Sequence, residues 1–168
     1  MCIRDRFNTY SEVSVCSGVV EEFNTTPEIV DAKRVPPETN AEIIEFAKKR
    51  DPFNHPCVMY KKSAVEAVGS YQDFYLLEDY YLWLRMLMAG YKGYNIQKPL
   101  LHMRAGSDMY LRRAGWKYAK TQKRLFRFMK DRGFIGNGQY IGSCVVRSGS
   151  ALAPNWLRKL MFEKVLRK

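Results

Sequence analysis

Residues 75–90 read YLLEDYYLWLRMLMAG, and this stretch organises the rest of the chain. Two adjacent acids, Glu78 and Asp79, stand directly before an apolar run over 80–89 that only Arg85 interrupts. A helix that is apolar on almost every face is a buried one, and Gly90 stands where a left-handed C-terminal stop is expected. The spacing therefore predicts a core helix with two carboxylates at its mouth. Taken alone, those acids have two readings. They can simply satisfy unpaired backbone donors and the positive end of the helix dipole. They can also present a rigidly held carboxylate at the edge of a cleft, ready to accept a proton.

The chain has 168 residues, of which 46% are hydrophobic, 14% aromatic and 27% charged, which suits one sizeable buried core rather than disorder. No run of eighteen apolar residues occurs, and the first twenty residues lack the order of a signal peptide, so the sequence predicts a soluble or peripheral cytoplasmic protein. Cys2, Cys16, Cys57 and Cys144 are scattered without a Cys-x-x-Cys pair, and the histidines are His55 and His102. Neither a zinc site nor a disulfide framework is expected from that pattern. The net charge of +11 is unevenly spread: residues 1–50 carry 7 basic and 9 acidic side chains, 51–109 carry 6 of each, and 110–168 carry 15 and 2. A last third so basic calls for an anionic partner, a membrane surface or a nucleic acid.

Residues 1–6, MCIRDR, fit no neighbouring pattern and are expected to be a non-native leader. Val13, Val15 and Val19 at alternate positions predict a half-buried strand that Ser17 and Gly18 break, and a second strand is expected within 29–35. Thr39 or Asn40 should cap a helix with Ile43, Ile44 and Ala47 on its inner face. In the next stretch, DPFNHPCVMYKKSAVEAVGSYQDF, Pro52 and Pro56 bracket Phe53, Asn54 and His55 and should hold them extended. A short buried strand over 57–60 and a helix over 64–68, capped by Ser63 and stopped by Gly69, are expected to follow. Beyond Gly90, Pro99 separates two short strands, at 91–96 and 100–104.

A long helix is predicted over 110–132, with Leu111, Ala114, Tyr118, Leu125 and Met129 facing inward and Gly133 ending it. Arg113, Lys117, Lys120, Arg124 and Arg127 form a continuous basic stripe on its other side. Residues 134–153 give no firm assignment. Pro154 opens a last basic helix in which Leu157, Leu160 and Met161 accompany Arg158, Lys159 and Lys164, a pattern suited to lying on an anionic membrane surface.

The loop DPFNHP, the strand, basic pair and small helix after it, Gly69-Ser70-Tyr71, and the Glu78-Asp79 pair followed by Tyr80, Trp83 and Arg85 together resemble the second half of bacterial family 2 glycosyltransferases. The resemblance runs from about Val13 to the C-terminus and includes SDMYLRRAGWKY near residue 110. It implies an α/β fold, the C-terminal half of a GT-A (doubly wound, Rossmann-like) domain over 7–109, followed by basic C-terminal helices over 110–168. It implies an inverting enzyme of polysaccharide synthesis that moves a sugar from a nucleotide sugar to a glycan or lipid-linked acceptor. By position, Asp79 matches the catalytic base and Glu78 its acidic neighbour, while Asn54 and His55 fall on the acceptor side of the cleft. His102 does not match the Arg-x-His histidine of many relatives and is not taken as a metal ligand. The family also holds a divalent metal, manganese or magnesium, on an Asp-x-Asp motif that this chain lacks, so the metal ligands and donor-binding half are expected to lie outside it. The chain thus reads as a fragment, inactive alone and without nucleotide-sugar affinity. A non-enzymatic basic module that binds an anionic membrane or, less favoured by the pattern, a nucleic acid is the competing reading.

Overall fold

The computed structural model describes residues 3–105 and 113–154, which form two compact units. The first draws on Met1–Asp73 and Glu78–Ala105, the second on Phe74–Leu77 and Gly106–Lys168. The N-terminal part of the long-helix prediction, including Leu111, and the whole membrane-facing set Leu157, Arg158, Lys159, Leu160, Met161 and Lys164 lie outside the described residues.

The first unit is a mixed α/β structure built on one open four-stranded sheet. Its central strand is β1, Val13–Phe23, paired in parallel along its length with β4, Lys92–Arg104. The opposite edge of β1 is shared by two short antiparallel strands, β2 (Ala32–Arg34) near its end and β3 (Met59–Tyr60) near its start. Residues 3–6, set aside in the sequence as a leader, begin the helix α1, Ile3–Thr9, and Ile3 and Phe7 pack against a cluster of Val13, Cys16 and Ile96.

Two expectations about β1 need correcting. It runs unbroken through Ser17 and Gly18, and all eleven of its residues are buried. Three of its polar side chains find partners inside the fold: Ser17 donates to Asn95, Glu21 meets Lys33 at 2.7 Å, and Glu22 binds Arg34. Likewise β4 is one strand, not two. Opposite Gly18 and Val19 of β1 its register jumps from Ile96 to Pro99, and this bulge absorbs the proline that has no N–H to donate. Leu100 then lies against Gly18, where a Cβ would come within 2.4 Å of its side chain. Gly18 is thus a seat for the bulge and no breaker.

Helix α2, Asn40–Ala47, begins with the expected cap. Thr39 and Glu42 form a reciprocal capping box, and Ile43 and Ala47 are buried. Helix α3 spans Lys62–Ala67, starting two residues earlier than predicted, with Lys61 and not Ser63 at its N-cap, and Gly69 follows it at φ +83°. Helix α4, Glu78–Met88, is the buried core helix read from the sequence: Tyr80, Leu82, Trp83, Leu84, Met86 and Leu87 are all buried, and Gly90 sits at φ +84° beyond it. Both α2 and α4 pack against β4.

In the second unit, α5 (Gly115–Asp131) starts later than predicted, with Ala114 as its N-cap and Arg113 ahead of it and not in the helix; it buries Tyr118, Ala119, Leu125, Phe126 and Met129 and leaves Lys117, Lys120, Arg124 and Arg127 exposed, as the spacing of these residues predicts. Gly133, at φ +70°, ends the chain's turn away from it. The unassigned stretch after it is helical: α6 (Asn137–Ser143), a π-helical turn (Cys144–Ser148) and α7 (Gly149–Leu152), with the π-helical turn and α7 packed on α5.

The polar centre of the first unit is Asn95 on β4, fully buried. It accepts from Ser17 Oγ at 2.5 Å and donates to the carbonyls of Pro37 (2.7 Å) and Pro52 (3.1 Å). One amide thereby ties both long strands to the loops before α2 and after it. Replacing it by alanine takes the acceptor from the buried Ser17 hydroxyl and the donor from the carbonyls of Pro37 and Pro52, so Asn95→Ala is expected to cost about 2–4 kcal/mol. Urea unfolding measures this, and a midpoint unchanged from the parent would contradict it.

Candidate active site

The loop 51–56 leaves the sheet region with its central ring driven inward. Phe53 is buried against β4, where Gly93 has no Cβ; one placed there would come within 2.5 Å of the ring. On its other side Phe53 meets Trp83 of α4 edge-on, with centroids 5.7 Å apart. The prolines do not hold the whole loop extended: Asn54 is extended, but His55 begins a 3-10 turn, His55–Cys57. The strand after it is also more open than expected, since Met59 and Tyr60 are both exposed.

Asn54 turns into the fold. Its side-chain amide donates to the carbonyls of Gly18 (2.8 Å) and Arg34 (3.1 Å), and its backbone N–H donates to Ser17 Oγ at 3.1 Å. His55 turns outward. Its ring lies 6.1 Å from Trp83 and, edge-on, 6.3 Å from Tyr71. Tyr60 also packs on Trp83, at 5.9 Å.

Trp83 lies four residues beyond Asp79, so the two share one face of α4 and the rings gathered on Trp83 lie a turn below the carboxylate. Glu78 is exposed and Asp79 half-buried, and Asp79 Oδ1 accepts from the Tyr80 N–H at 2.7 Å. Tyr80 fixes the same end of the helix by donating its hydroxyl to Ala47 O at 2.6 Å. Arg85, the lone charge in the apolar run, reaches back to the turn after α3 and donates to Val68 O (2.5 Å) and Ser70 O (2.6 Å). Those bonds hold Ser70 at φ +53°, a left-handed conformation costly for a residue with a Cβ. The next residue is Tyr71.

Tyr71 completes the group. Burial pushes its hydroxyl well above the ordinary phenol range, and the neighbouring Tyr60, then the negative charges of Asp79 and Glu78, push it further. It therefore stays protonated beside the acids, as a hydrogen-bond donor. The structure thus brings Glu78, Asp79 and His55 to one region through Tyr71 and Trp83, and uses Asn54 as a clamp between β1, β2 and the loop. Tyr60 was not singled out by the sequence reading, and Tyr71 and Trp83 entered it as parts of the motif and not as site residues. The four-residue step from Asp79 to Trp83 was the available signal. Among the described residues, no group of three His, Cys, Asp or Glu side chains is placed to hold a metal ion, and no helix is long and apolar enough to cross a membrane.

No family model matches the chain. Curated proteins to which it is similar are glycosyltransferases. It is 34% identical to the amylovoran biosynthesis glycosyltransferase AmsE of Erwinia amylovora, over 98% of its own length and 64% of that protein's. It is 36% identical to an uncharacterized glycosyltransferase of Haemophilus influenzae, over 100% and 65%. With the Escherichia coli UDP-Gal:alpha-D-GlcNAc-diphosphoundecaprenol beta-1,3-galactosyltransferase it shares 36% identity over 99% and 60%. The chain therefore spans between 60 and 65% of these relatives, and the similarity covers more of it than the resemblance read from its motifs.

The raised Tyr71 pKa has a defined sign. The unfolded chain loses this proton near the ordinary phenol value of about 10 while the folded chain keeps it, so Tyr71 weakens the fold as pH rises above that value. Ultraviolet titration of the phenols should show a last-titrating component that Tyr71→Phe removes. Its persistence in the variant would show that Tyr71 lies in ordinary solvent.

Proposed function

We propose that the chain is part of an inverting glycosyltransferase of the family 2, GT-A type, in which Asp79 is the general base. Similarity to three glycosyltransferases over nearly the whole chain carries this reading. The mixed open sheet and a carboxylate fixed at the start of a buried helix support it. In this mechanism an acceptor hydroxyl oxygen attacks C1 of the donor sugar and its proton passes to the Asp79 carboxylate. The bond from C1 to the diphosphate oxygen breaks with its electron pair leaving on the diphosphate, and attack from the opposite side inverts the anomeric centre. Neutral Tyr71 and the outward His55 lie where they can donate to or orient the acceptor, and Glu78 adds negative charge beside the base. By analogy with the relative named for a diphosphoundecaprenol-linked substrate, the acceptor is a lipid-linked glycan, met at the cytoplasmic face of a membrane.

A divalent metal on the leaving diphosphate is implied by the resemblance, but the residues here do not fit one: the sequence has no Asp-x-Asp and the described side chains form no ligand set. No step above passes through it.

The hydrogen bond from Tyr80 N–H to Asp79 also suits an acid that only caps α4, and one substitution separates the two roles. In the whole enzyme, Asp79→Asn should keep the fold and donor affinity and lower turnover by roughly a hundred- to ten-thousandfold. Near-normal turnover in a steady-state assay would leave Asp79 as a cap.

A further inference from the structure

The exposed face of α5 carries Trp116, Lys117, Lys120, Lys123, Arg124 and Arg127. Over 116–127 it contains no acid, and Asp131, 3.7 Å from Arg127, is the one carboxylate in the helix. Within its own unit this arrangement is unfavourable in three ways. Solvated helix faces interleave signs so that residues three and four apart attract, whereas here Lys117, Lys120, Arg124 and Arg127 repel at each of those steps. The first turn has no acid, and Ala114 at the N-cap makes no side-chain bond, so Lys117 stands at the unrelieved positive end of the dipole. Trp116 leaves 71% of its surface in water. Two cations gain some relief from rings of the same unit, Lys117 over Tyr75 at 4.0 Å and Arg124 over Phe74 at 4.5 Å. Lys120 and Lys123 have no partner among the described residues.

We propose that this face of α5 docks on an anionic lipid bilayer. A plane of lipid headgroups offsets all three costs together: it supplies a continuous negative potential to a row of cations about 15 Å long, and an interfacial layer in which an indole is favoured. The residues of this face are other than those of the Asp79 group and of the basic tail read from the sequence, and the inference does not depend on the reaction proposed above.

The test is co-sedimentation of the 168-residue chain with vesicles of pure phosphatidylcholine and vesicles about one-third phosphatidylglycerol, at about 0.15 M salt. The chain should bind the anionic vesicles alone, with a blue shift in emission that Trp116→Ser reduces. Each surface cation contributes about a fivefold factor, so Lys120→Glu with Lys123→Glu and Arg127→Glu should lower partitioning at least about a hundredfold while circular dichroism stays unchanged. The glutamine versions, which remove charge without reversing it, should fall in the same direction. Partitioning of the triple variant equal to that of the parent would assign binding to another surface and overturn the proposal. So would equal binding to both vesicles, binding to neither, or tighter binding to an RNA duplex than to the anionic vesicles.

Discussion

The wedging of Phe53 between β4 and α4 is the constraint on which the candidate site depends. Its ring occupies the space left by the missing side chain of Gly93 and abuts Trp83 edge-on. Because Phe53 is locked between a strand and a helix, the residues after it have little choice of position: Asn54 is drawn inward to Gly18 and Arg34, and His55 is turned out over Trp83. Trp83 in turn shares a helical face with Asp79, so one packed ring sets the relation between loop and carboxylate. Dense packing of this kind fixes the position of the Asp79 carboxylate, and in the proposed mechanism much of the benefit of proximity derives from that.

Polar groups do the remaining positioning. Asn95 binds both long strands to two proline-bearing loops, and Arg85 reaches from α4 to hold the Val68–Ser70 turn that presents Tyr71. Each is a polar residue inside an apolar stretch, and each is satisfied through backbone carbonyls far away in sequence. Such residues lower the number of alternative packings open to the surrounding apolar side chains, because a shifted packing would leave their donors unpaired.

The parts of the structure legible in the sequence were those whose cause is local. Helix α4 was readable because apolar residues cover nearly all its faces, α2 because Thr39 and Glu42 form a complete capping signal, and the stops at Gly69, Gly90 and Gly133 because each adopts the left-handed conformation glycine tolerates. What misled was long-range. Val13, Val15 and Val19 gave β1 the look of a half-buried strand broken at Ser17 and Gly18, yet Ser17 finds its partner in Asn95 of β4, and Glu21 and Glu22 theirs in Lys33 and Arg34 of β2. Pro99 looked like a strand break because the bulge that accommodates it depends on Gly18, some eighty residues earlier. At the site, Asp79, Glu78 and His55 could be named from their motif, whereas Tyr60 and Tyr71 acquire meaning only once Trp83 and the Arg85-held turn bring them beside the acids.

A carboxylate held by this packing at the start of α4, acting as general base, is the central claim about the chemistry. It is tested most directly by the pH dependence of kcat in the whole transferase, compared between the parent and Asp79→Asn at saturating donor and acceptor. The parent's kcat should fall on the acid side as the base takes up a proton, and the variant's much lower kcat should show no such limb. An acid limb of the same position and slope in both proteins would contradict the account, since the titrating group would then be somewhere other than Asp79.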